Sequence, residues 1–302
     1  MEPTGRSPLV LLVPVVRLLA LIAGVYRSFV PDDLYIYLRF TENLLSGAGP
    51  CFNPGHPTYG FTSALWYGLL VLAGLSGKLL PAARLLSVAC ALLALPAMHR
   101  FAGRLSGSRL VAAAAALLLA LDAWFVRWSA TGMEASLSVL LLLGGFHRHL
   151  REVEEGRGRV GSVLWFSLLA AVRPEAFLLL ALALVEAALP DPGASASAAR
   201  RRAAAAVATV GVVLGPWLLY SLWRFGGLLP DTASAKAPGA LLSQAWASLL
   251  RTGKLTTVTV ALPASILMLV CAAGVMARWR SRNASGLRRH GLLAVWLVGL
   301  PL

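Results

Sequence analysis

Long apolar stretches alternate with short polar intervals along the whole chain. The apolar runs cover residues 9–30, 61–77, 82–98, 110–126, 135–147, 161–189, 203–223, 255–277 and 291–302. A helix needs about 20 residues to cross the hydrocarbon core of a bilayer, with a range near 17 to 25. Several runs are of that length, and the pattern therefore predicts an all-α protein, a polytopic bundle of transmembrane helices.

The longest polar-rich interval in the first two thirds of the chain covers residues 31–66. It opens with two adjacent carboxylates, Asp32 and Asp33, and continues as a short amphipathic helix that Ser46-Gly47 ends. One face of that helix carries Leu34, Leu38, Thr41, Leu44 and Leu45. A Gly- and Pro-rich loop follows, and we interpret the whole interval as the active-site loop of a membrane enzyme.

Composition and charge agree with a membrane protein. Of the 302 residues, 58% are hydrophobic and 13% are charged, and the mean hydropathy of +0.74 is too high for a soluble domain. The formal charge of +14 would suggest nucleic acid in a soluble protein. Here the arginines lie in clusters between apolar runs, as topology signals do, and we expect no nucleic-acid partner. Cys51, Cys90 and Cys271 are scattered, so neither a disulfide framework nor a thiolate metal site is expected.

The arginine clusters predict the topology. They lie at residues 99–109, 148–159, 200–202 and 278–289. Short cytoplasmic loops accumulate Lys and Arg, so we place all four clusters in the cytoplasm, and an even number of crossings must join each pair. The single run 161–189 is interrupted at Arg173-Pro174-Glu175, and proline disfavours helix at the residue before it. We predict that this run is a hairpin of two short helices. The first helix begins and the second helix ends on the cytoplasmic side.

The same parity rule applies between Arg6 and the first arginine cluster, where three runs are present and an even number of crossings is needed. We take residues 9–30 as a retained first helix, because no convincing small-residue cleavage site follows it. The run 61–77 is polar at both ends and contains three glycines. We predict that it lies at the outer interface or re-enters, with Trp66 and Tyr67 at the level of the headgroups. Residues 31–80 then form a large first extracytoplasmic loop with interfacial helices.

This topology gathers charged residues on the outer side of the membrane or in its outer half. They are Asp32, Asp33, Glu134, Arg173, Glu175, Asp231 and Lys236. Polar groups at such depth are costly unless they face a cavity or a partner. We therefore predict a polar pocket that opens outward.

The acidic residues of this pocket admit two interpretations. Asp32 and Asp33 lie in a first helical turn, where a carboxylate can satisfy unpaired backbone donors. Two adjacent acids cannot both cap the helix, and a free one suits a general base that deprotonates an acceptor hydroxyl. Glu134, at the outer start of a helix, is either a first-turn acid favoured by the helix dipole or a second member of the pocket.

The nearby cations also have alternatives. Arg39 could pair with Glu42, bind a phosphate or remain a solvated surface residue. Arg173 could pair with its neighbour Glu175, or hold a lipid phosphate, because its planar fork matches phosphate oxygens. Lys236 is a weaker candidate for the same phosphate, and a loop lysine is usually just solvated.

The motifs on this outer side occur in a recognisable order. They are Asp32-Asp33-Leu-Tyr-Ile-Tyr-Leu-Arg39-Phe, Asn43-Leu-Leu-Ser-Gly47-Ala-Gly49, Phe52-Asn53-Pro54-Gly55, Tyr59-Gly60-Phe-Thr62-Ser63-Ala-Leu-Trp66, Thr131-Gly132-Met-Glu134, Arg173-Pro174-Glu175 and Gly227-Leu-Leu-Pro230-Asp231-Thr232 with Ala235-Lys236. Their order resembles the GT-C glycosyltransferases, polytopic enzymes that use a polyprenyl-phosphate sugar donor. Within them it resembles the branch of the terminal arabinofuranosyltransferases, and the matches span residues 31–236.

The resemblance implies one transmembrane domain over residues 1–302, in a multi-pass protein of the bacterial plasma membrane. It implies transfer of a sugar from a polyprenyl-phosphate donor to a hydroxyl of a glycan, lipid or protein acceptor on the extracytoplasmic face, among membrane lipids. The catalytic base would be Asp32 or Asp33. Carried over to this chain, the substrate-binding candidates are Arg39, Asn53, His56, Glu134, Arg173, Glu175 and Lys236. No metal ligands and no cofactor are assigned, and a divalent cation is left open.

Departures from that branch bear on the substrate and on the length of the chain. The branch usually has Glu-Arg where this chain has His56-Pro57, and Val-Glu-Gly where it has Thr58-Tyr59-Gly60, so arabinofuranose is not assigned. Family members usually continue through more helices, and we expect that this chain is truncated at its C-terminus.

A transporter or lipid-sugar flippase is the alternative function, since a broken helix would suit its substrate path. The chain shows no internal repeat of the kind that transporters often have, which lowers that alternative. A non-catalytic assembly subunit is a third possibility.

Overall fold

The computed structural model describes residues 9–26, 28–156, 158, 160–189, 195–228 and 230–231. The helices are α1 (Leu9–Leu21), continued by a π-helical turn (Ile22–Tyr26), α2 (Asp32–Leu45), α3 (Ala64–Gly74), α4 (Leu79–Ser106), α5 (Arg109–Leu121), α6 (Ala123–Ser129), α7 (Ala135–Glu154), α8 (Val160–Ala170), α9 (Ala176–Ala188) and α10 (Ala196–Phe225). These residues contain no β-strand, so the all-α prediction is confirmed for the part described. The runs 255–277 and 291–302, the fourth arginine cluster and Lys236 lie outside it.

The predicted amphipathic helix after Pro31 is confirmed as α2. Pro31 precedes the first turn, where its missing N–H costs nothing, and Gly47, with φ +85°, follows the last turn. Its buried side chains are those of Leu34, Tyr37, Leu38, Phe40, Thr41 and Asn43. Leu45, predicted on the same apolar face, is 42% exposed instead.

The predicted hairpin is confirmed as α8 and α9, which are separated by residues 171–175. The start of α8 and the end of α9 lie together at the base of α10. There the Arg202 guanidinium donates to the carbonyls of Ala187, at 2.7 Å, and Leu189, and a Cβ at Gly158 would lie 3.5 Å from the Arg202 side chain. The break at Pro174 therefore turns the chain back toward the end from which it came.

Only some helices have the length of a membrane span. Among the described residues, α4 and α10 are long and apolar enough to cross a bilayer, and α5 with α6 makes a third if the bent pair is one span. The run 110–126 was predicted as one crossing, and the structure shows that it is bent by 62° between α5 and α6. Asp122 stands at the bend, and its carboxylate accepts from the Phe125 N–H, which starts a new helix there.

The short helix α3 corrects one further expectation. At 11 residues it does not have the length of a crossing. Its Trp66 and Tyr67 side chains, predicted at the level of the headgroups, are buried inside the protein instead, with exposures of 0% and 4%. They pack in the main core cluster, which joins α2, α3, α4, α7, α8, α9 and α10.

Three of the four arginine clusters lie at one end of the bundle. Arg104 in the first cluster pairs with Glu154 in the second, and a Cβ at Gly158 in the second would lie 3.5 Å from the Arg202 side chain in the third. Glu152, which is buried, accepts from the N–H groups of Gly161 and Ser162 and so caps the start of α8 at the same end. This grouping agrees with one common side for the clusters, and which side of the membrane that is stays a prediction.

Candidate active site

Four segments that are distant in sequence meet at the opposite end of the bundle. They are the start of α2, residues 59–63 before α3, the turn 130–134 before α7 and the break 171–175 between α8 and α9. The first turn of α3, which follows residues 59–63, is bonded to the break, since the Leu65 N–H donates to the Ala171 carbonyl at 3.0 Å. Most of the predicted site residues lie in these four segments.

The turn before α7 holds Glu134 in place. Gly132 has φ +85° and lies so close to α4 that a Cβ there would be 3.2 Å from the Arg84 backbone nitrogen. The Thr131 hydroxyl accepts from the Met133 N–H at 3.1 Å, and the Ser87 hydroxyl on α4 donates to the Met133 carbonyl at 3.0 Å. Glu134 itself is 3% exposed and is the N-cap residue of α7.

Arg173 pairs with Glu134 across the site. The Arg173 Nη2 atom lies 3.1 Å from Glu134 Oε1, and the exposed fractions of the two side chains are 38% and 5%. The other carboxylate oxygen, Oε2, is buried and has no hydrogen-bond partner in the described part of the chain. Arg173 was considered for a pair with Glu175, but its ion-pair partner among the described residues is Glu134.

Other charges act on this ion pair. Burial raises the pKa of Glu134, Arg173 opposes that rise, and the negative charges of Asp33 and Glu175 add to it. Electrostatic effects of this kind fall off with distance. We therefore group Asp33, Glu134, Arg173 and Glu175 and call them the acidic cluster. The structure therefore brings together four residues that the sequence predicted on a common side.

Tyr37 is a member of this cluster that the sequence interpretation missed. It is 5% exposed, and its hydroxyl accepts from the Ser63 N–H at 3.1 Å. Burial raises its pKa and so does Glu134, so the phenol stays protonated at neutral pH. The spacing contained a signal, because Tyr37 is four residues after Asp33 and therefore lies on the same face of α2.

Asp32 and Asp33 are both exposed at the first two positions of α2. The N-cap residue is Pro31, which has no side-chain capping bond. Neither aspartate makes a hydrogen bond or an ion pair with the described residues, so neither acts as a cap through a side-chain bond. Of the two, Asp33 is the one whose charge reaches Glu134.

Three further predicted site residues, Arg39, Asn53 and His56, lie within residues 31–80 but outside the four segments. Arg39 Nε donates to the Phe52 carbonyl at 3.3 Å, so it supports the loop and does not pair with Glu42. Buried Asn43, which was not predicted as a site residue, donates to the carbonyls of Cys51 and Phe52 at 2.8 and 3.0 Å.

The predicted turn at residues 53–56 is confirmed. The His56 N–H donates to the Asn53 carbonyl at 3.1 Å, and Gly55 has φ +85°. No bond in the described part of the chain joins Asn53 or His56 to the acidic cluster. Both side chains are exposed on the loop.

Residues 59–63 pack against aromatic side chains of α10. The Tyr59 ring stacks on Phe225 with centroids 5.0 Å apart, and its hydroxyl accepts from Trp217 Nε1 at 2.8 Å. Asp231 reaches residues 59–63 from the segment after α10, since its carboxylate accepts from the Tyr59 N–H at 2.9 Å and its own N–H donates to the Tyr59 carbonyl at 2.9 Å. Asp231 thus holds the loop and is not placed in the acidic cluster.

The described residues contain no group of three or more His, Cys, Asp or Glu side chains placed to hold a metal ion. Comparison of the chain with protein-family models, with curated proteins and with solved structures found no match in any of the three. Function is therefore inferred from the residues and from their arrangement alone.

Proposed function

We propose that this protein is a GT-C type membrane glycosyltransferase. It moves a sugar from a polyprenyl-phosphate donor to a hydroxyl of a glycan, lipid or protein acceptor on the extracytoplasmic face of a bacterial plasma membrane. The acidic cluster is its active site, and residues 31–80 are its first extracytoplasmic loop.

One observation carries the proposal. The cluster contains a solvent-exposed aspartate, Asp33, without a partner among the described residues, and a partly exposed cation, Arg173, at the end of the bundle opposite the three described arginine clusters. A free carboxylate and an accessible guanidinium are the two groups that hydroxyl attack on a phosphate-linked sugar requires. The apolar surfaces of α4 and α10 suit a lipid-linked donor, which approaches from the bilayer.

The chemistry follows from these two groups. Asp33 takes the proton of the acceptor hydroxyl, whose oxygen bonds to the anomeric carbon as the bond from that carbon to the phosphate oxygen breaks. The lipid phosphate leaves with the electron pair, and Arg173 offsets its negative charge. A single displacement of this kind inverts the anomeric carbon. Asp33 is preferred to Asp32 as the base because its charge acts on the cluster.

Transfer by membranes that contain the full-length protein tests the proposal. With a labelled polyprenyl-phosphate sugar, we expect Asp33→Asn to lower the transfer rate on the order of a hundredfold or more, because a general base contributes about that much. Glu42→Gln, an exposed acid on the same helix outside the cluster, is the matched control and should keep normal transfer.

Near-normal transfer by Asp32→Asn, Asp33→Asn and the double variant would overturn the assignment. A flippase would instead move the labelled lipid across vesicles and form no transfer product, so both products are measured in the same preparation.

A further inference from the structure

The Glu134–Arg173 ion pair is built in a way that an ordinary structural ion pair is not. It is formed by one atom pair at 3.1 Å, and the second carboxylate oxygen is buried without a partner. The carboxylate is sealed inside the protein while the guanidinium is 38% exposed. Arg173 can therefore meet a ligand from outside without any movement of Glu134.

We propose that Arg173 alternates between Glu134 and the phosphate of a bound ligand, and that the Glu134 carboxylate takes up a proton when Arg173 binds the phosphate. The inference rests on the proposed function, because the ligand is the phosphate of the lipid-linked donor. It adds that donor binding and protonation of Glu134 are one coupled event.

The surroundings of Glu134 favour this coupling. In the part of the chain that the structure describes, the charged and titratable groups that act on it are Asp33 and Tyr37 from α2, Arg173 from the break between α8 and α9, and Glu175 at the start of α9. Among these described groups Arg173 is the one cation, and the two acids repel a carboxylate. The arginines of the neighbouring helices are engaged elsewhere, because Arg84 donates to the Phe29 carbonyl at 2.7 Å and the Arg127 guanidinium lies 4.2 Å from the Phe29 ring centroid.

A buried carboxylate without its cation is costly, and a proton removes that cost. Burial is the largest influence on the pKa of Glu134 and raises it, whereas Arg173 and a backbone hydrogen bond lower it. When a phosphate neutralises the guanidinium, burial and the charges of Asp33 and Glu175 favour the protonated acid, and the backbone hydrogen bond alone opposes them. The proton comes from solvent, and the resulting carboxylic O–H can donate to a phosphate or sugar oxygen in the site.

The sign of the pH dependence follows by linkage. Because the bound state holds more protons than the free state, lower pH favours binding, and the affinity falls as pH rises through the range in which Glu134 of the bound state loses its proton.

The test measures protons and binding together on the detergent-solubilised protein. The probe is farnesyl methyl phosphodiester, whose single charge does not titrate near neutral pH, and farnesol is the control for binding of the tail alone. Isothermal titration in buffers of different ionisation enthalpy gives the number of protons taken up. We expect uptake of up to about one proton per bound phosphodiester and none with farnesol.

Substitutions at Glu134 and Arg173 separate the roles. Glu134→Gln should abolish proton uptake and tighten binding several-fold, because Arg173 loses its competitor. Arg173→Gln should weaken binding roughly tenfold or more, since a charge-assisted bond is lost. Arg173→Lys keeps the charge and tests the same step if Arg173→Gln does not fold. Glu42→Gln, an exposed acid on α2 outside the cluster, is the matched control and should keep the uptake.

Binding of the phosphodiester without any change in bound protons would overturn the coupling and leave the proposed function standing. Proton uptake that persists in Glu134→Gln would also overturn it. Absence of binding by the folded protein would overturn both the coupling and the proposed function. If the protein binds the phosphodiester with proton uptake but shows no sugar transfer, the proposed function fails and the coupling stands.

Discussion

At the scale of single residues, the cluster combines groups that differ in how firmly they are held. Glu134 and Tyr37 are buried and anchored, whereas Asp33 and Arg173 are accessible. Buried polar atoms need partners, and a ligand-binding group needs freedom. This division fits a site in which the inner residues set the electrostatics and the outer residues meet the ligand.

The Tyr37 hydroxyl is expected to contribute to stability through one bond. Tyr37→Phe leaves the Ser63 N–H without its acceptor inside the protein, which costs about 1–3 kcal/mol. We expect a lower melting temperature in detergent. Tyr35→Phe is the matched control, because Tyr35 is on the same helix and 54% exposed, and it should melt as the parent protein does. Equal melting of the two variants would show that the bond to Ser63 contributes nothing.

At the scale of elements, the glycine pair of α7 allows α8 to pack closely. A Cβ at Gly144 or Gly145 would meet the rings of Trp165 and Phe166, respectively, well inside van der Waals contact. Phe166 is fully buried and has no free space into which to move. This close contact positions α8 and hence the break that carries Arg173.

Gly145→Ala should therefore be destabilising, although alanine is the better helix former. We expect a cost of about 1–3 kcal/mol from overpacking, seen as a lower melting temperature and weaker phosphodiester binding. Gly215→Ala is the control, since nothing lies within 4 Å of a Cβ there, and it should be neutral or stabilising by about 0.5–1 kcal/mol. A Gly145→Ala variant as stable as Gly215→Ala would mean that Phe166 yields without cost.

At the scale of the whole molecule, the bundle has two chemically different ends. In the described part of the chain, one end carries three arginine clusters with Glu152 and Glu154, and the other carries the acidic cluster. The positive-inside rule predicts that the first end faces the cytoplasm. Donor, acceptor and base then meet at the outer surface.

Single cysteines at the two ends test this orientation, in a background in which Cys51, Cys90 and Cys271 are replaced by alanine. Glu175→Cys, at the exposed break, should react with a membrane-impermeant maleimide in intact cells. Glu155→Cys, exposed after α7, should react only after lysis. The reverse pattern would invert the topology and remove the extracytoplasmic active site from the proposal.

The sequence by itself determined the elements of the described chain. Apolar periodicity, Pro31, the Arg173-Pro174-Glu175 break and the turn at residues 53–56 act over a few residues, because backbone torsions and local bonds decide helix starts, ends and turns. It also placed Asp33, Glu134, Arg173 and Glu175 on one predicted side.

Only the tertiary structure decided which of these groups are partners. Arg173 pairs with Glu134 and not with its neighbour Glu175. The Tyr37 hydroxyl accepts from the Ser63 N–H, and Asp231 bonds to Tyr59, which is 172 positions away in the sequence. The burial of Trp66 was decided in the same way. The physical reason is that a polar group pairs with whatever packing brings within about 3 Å and shields from water, which no local pattern encodes.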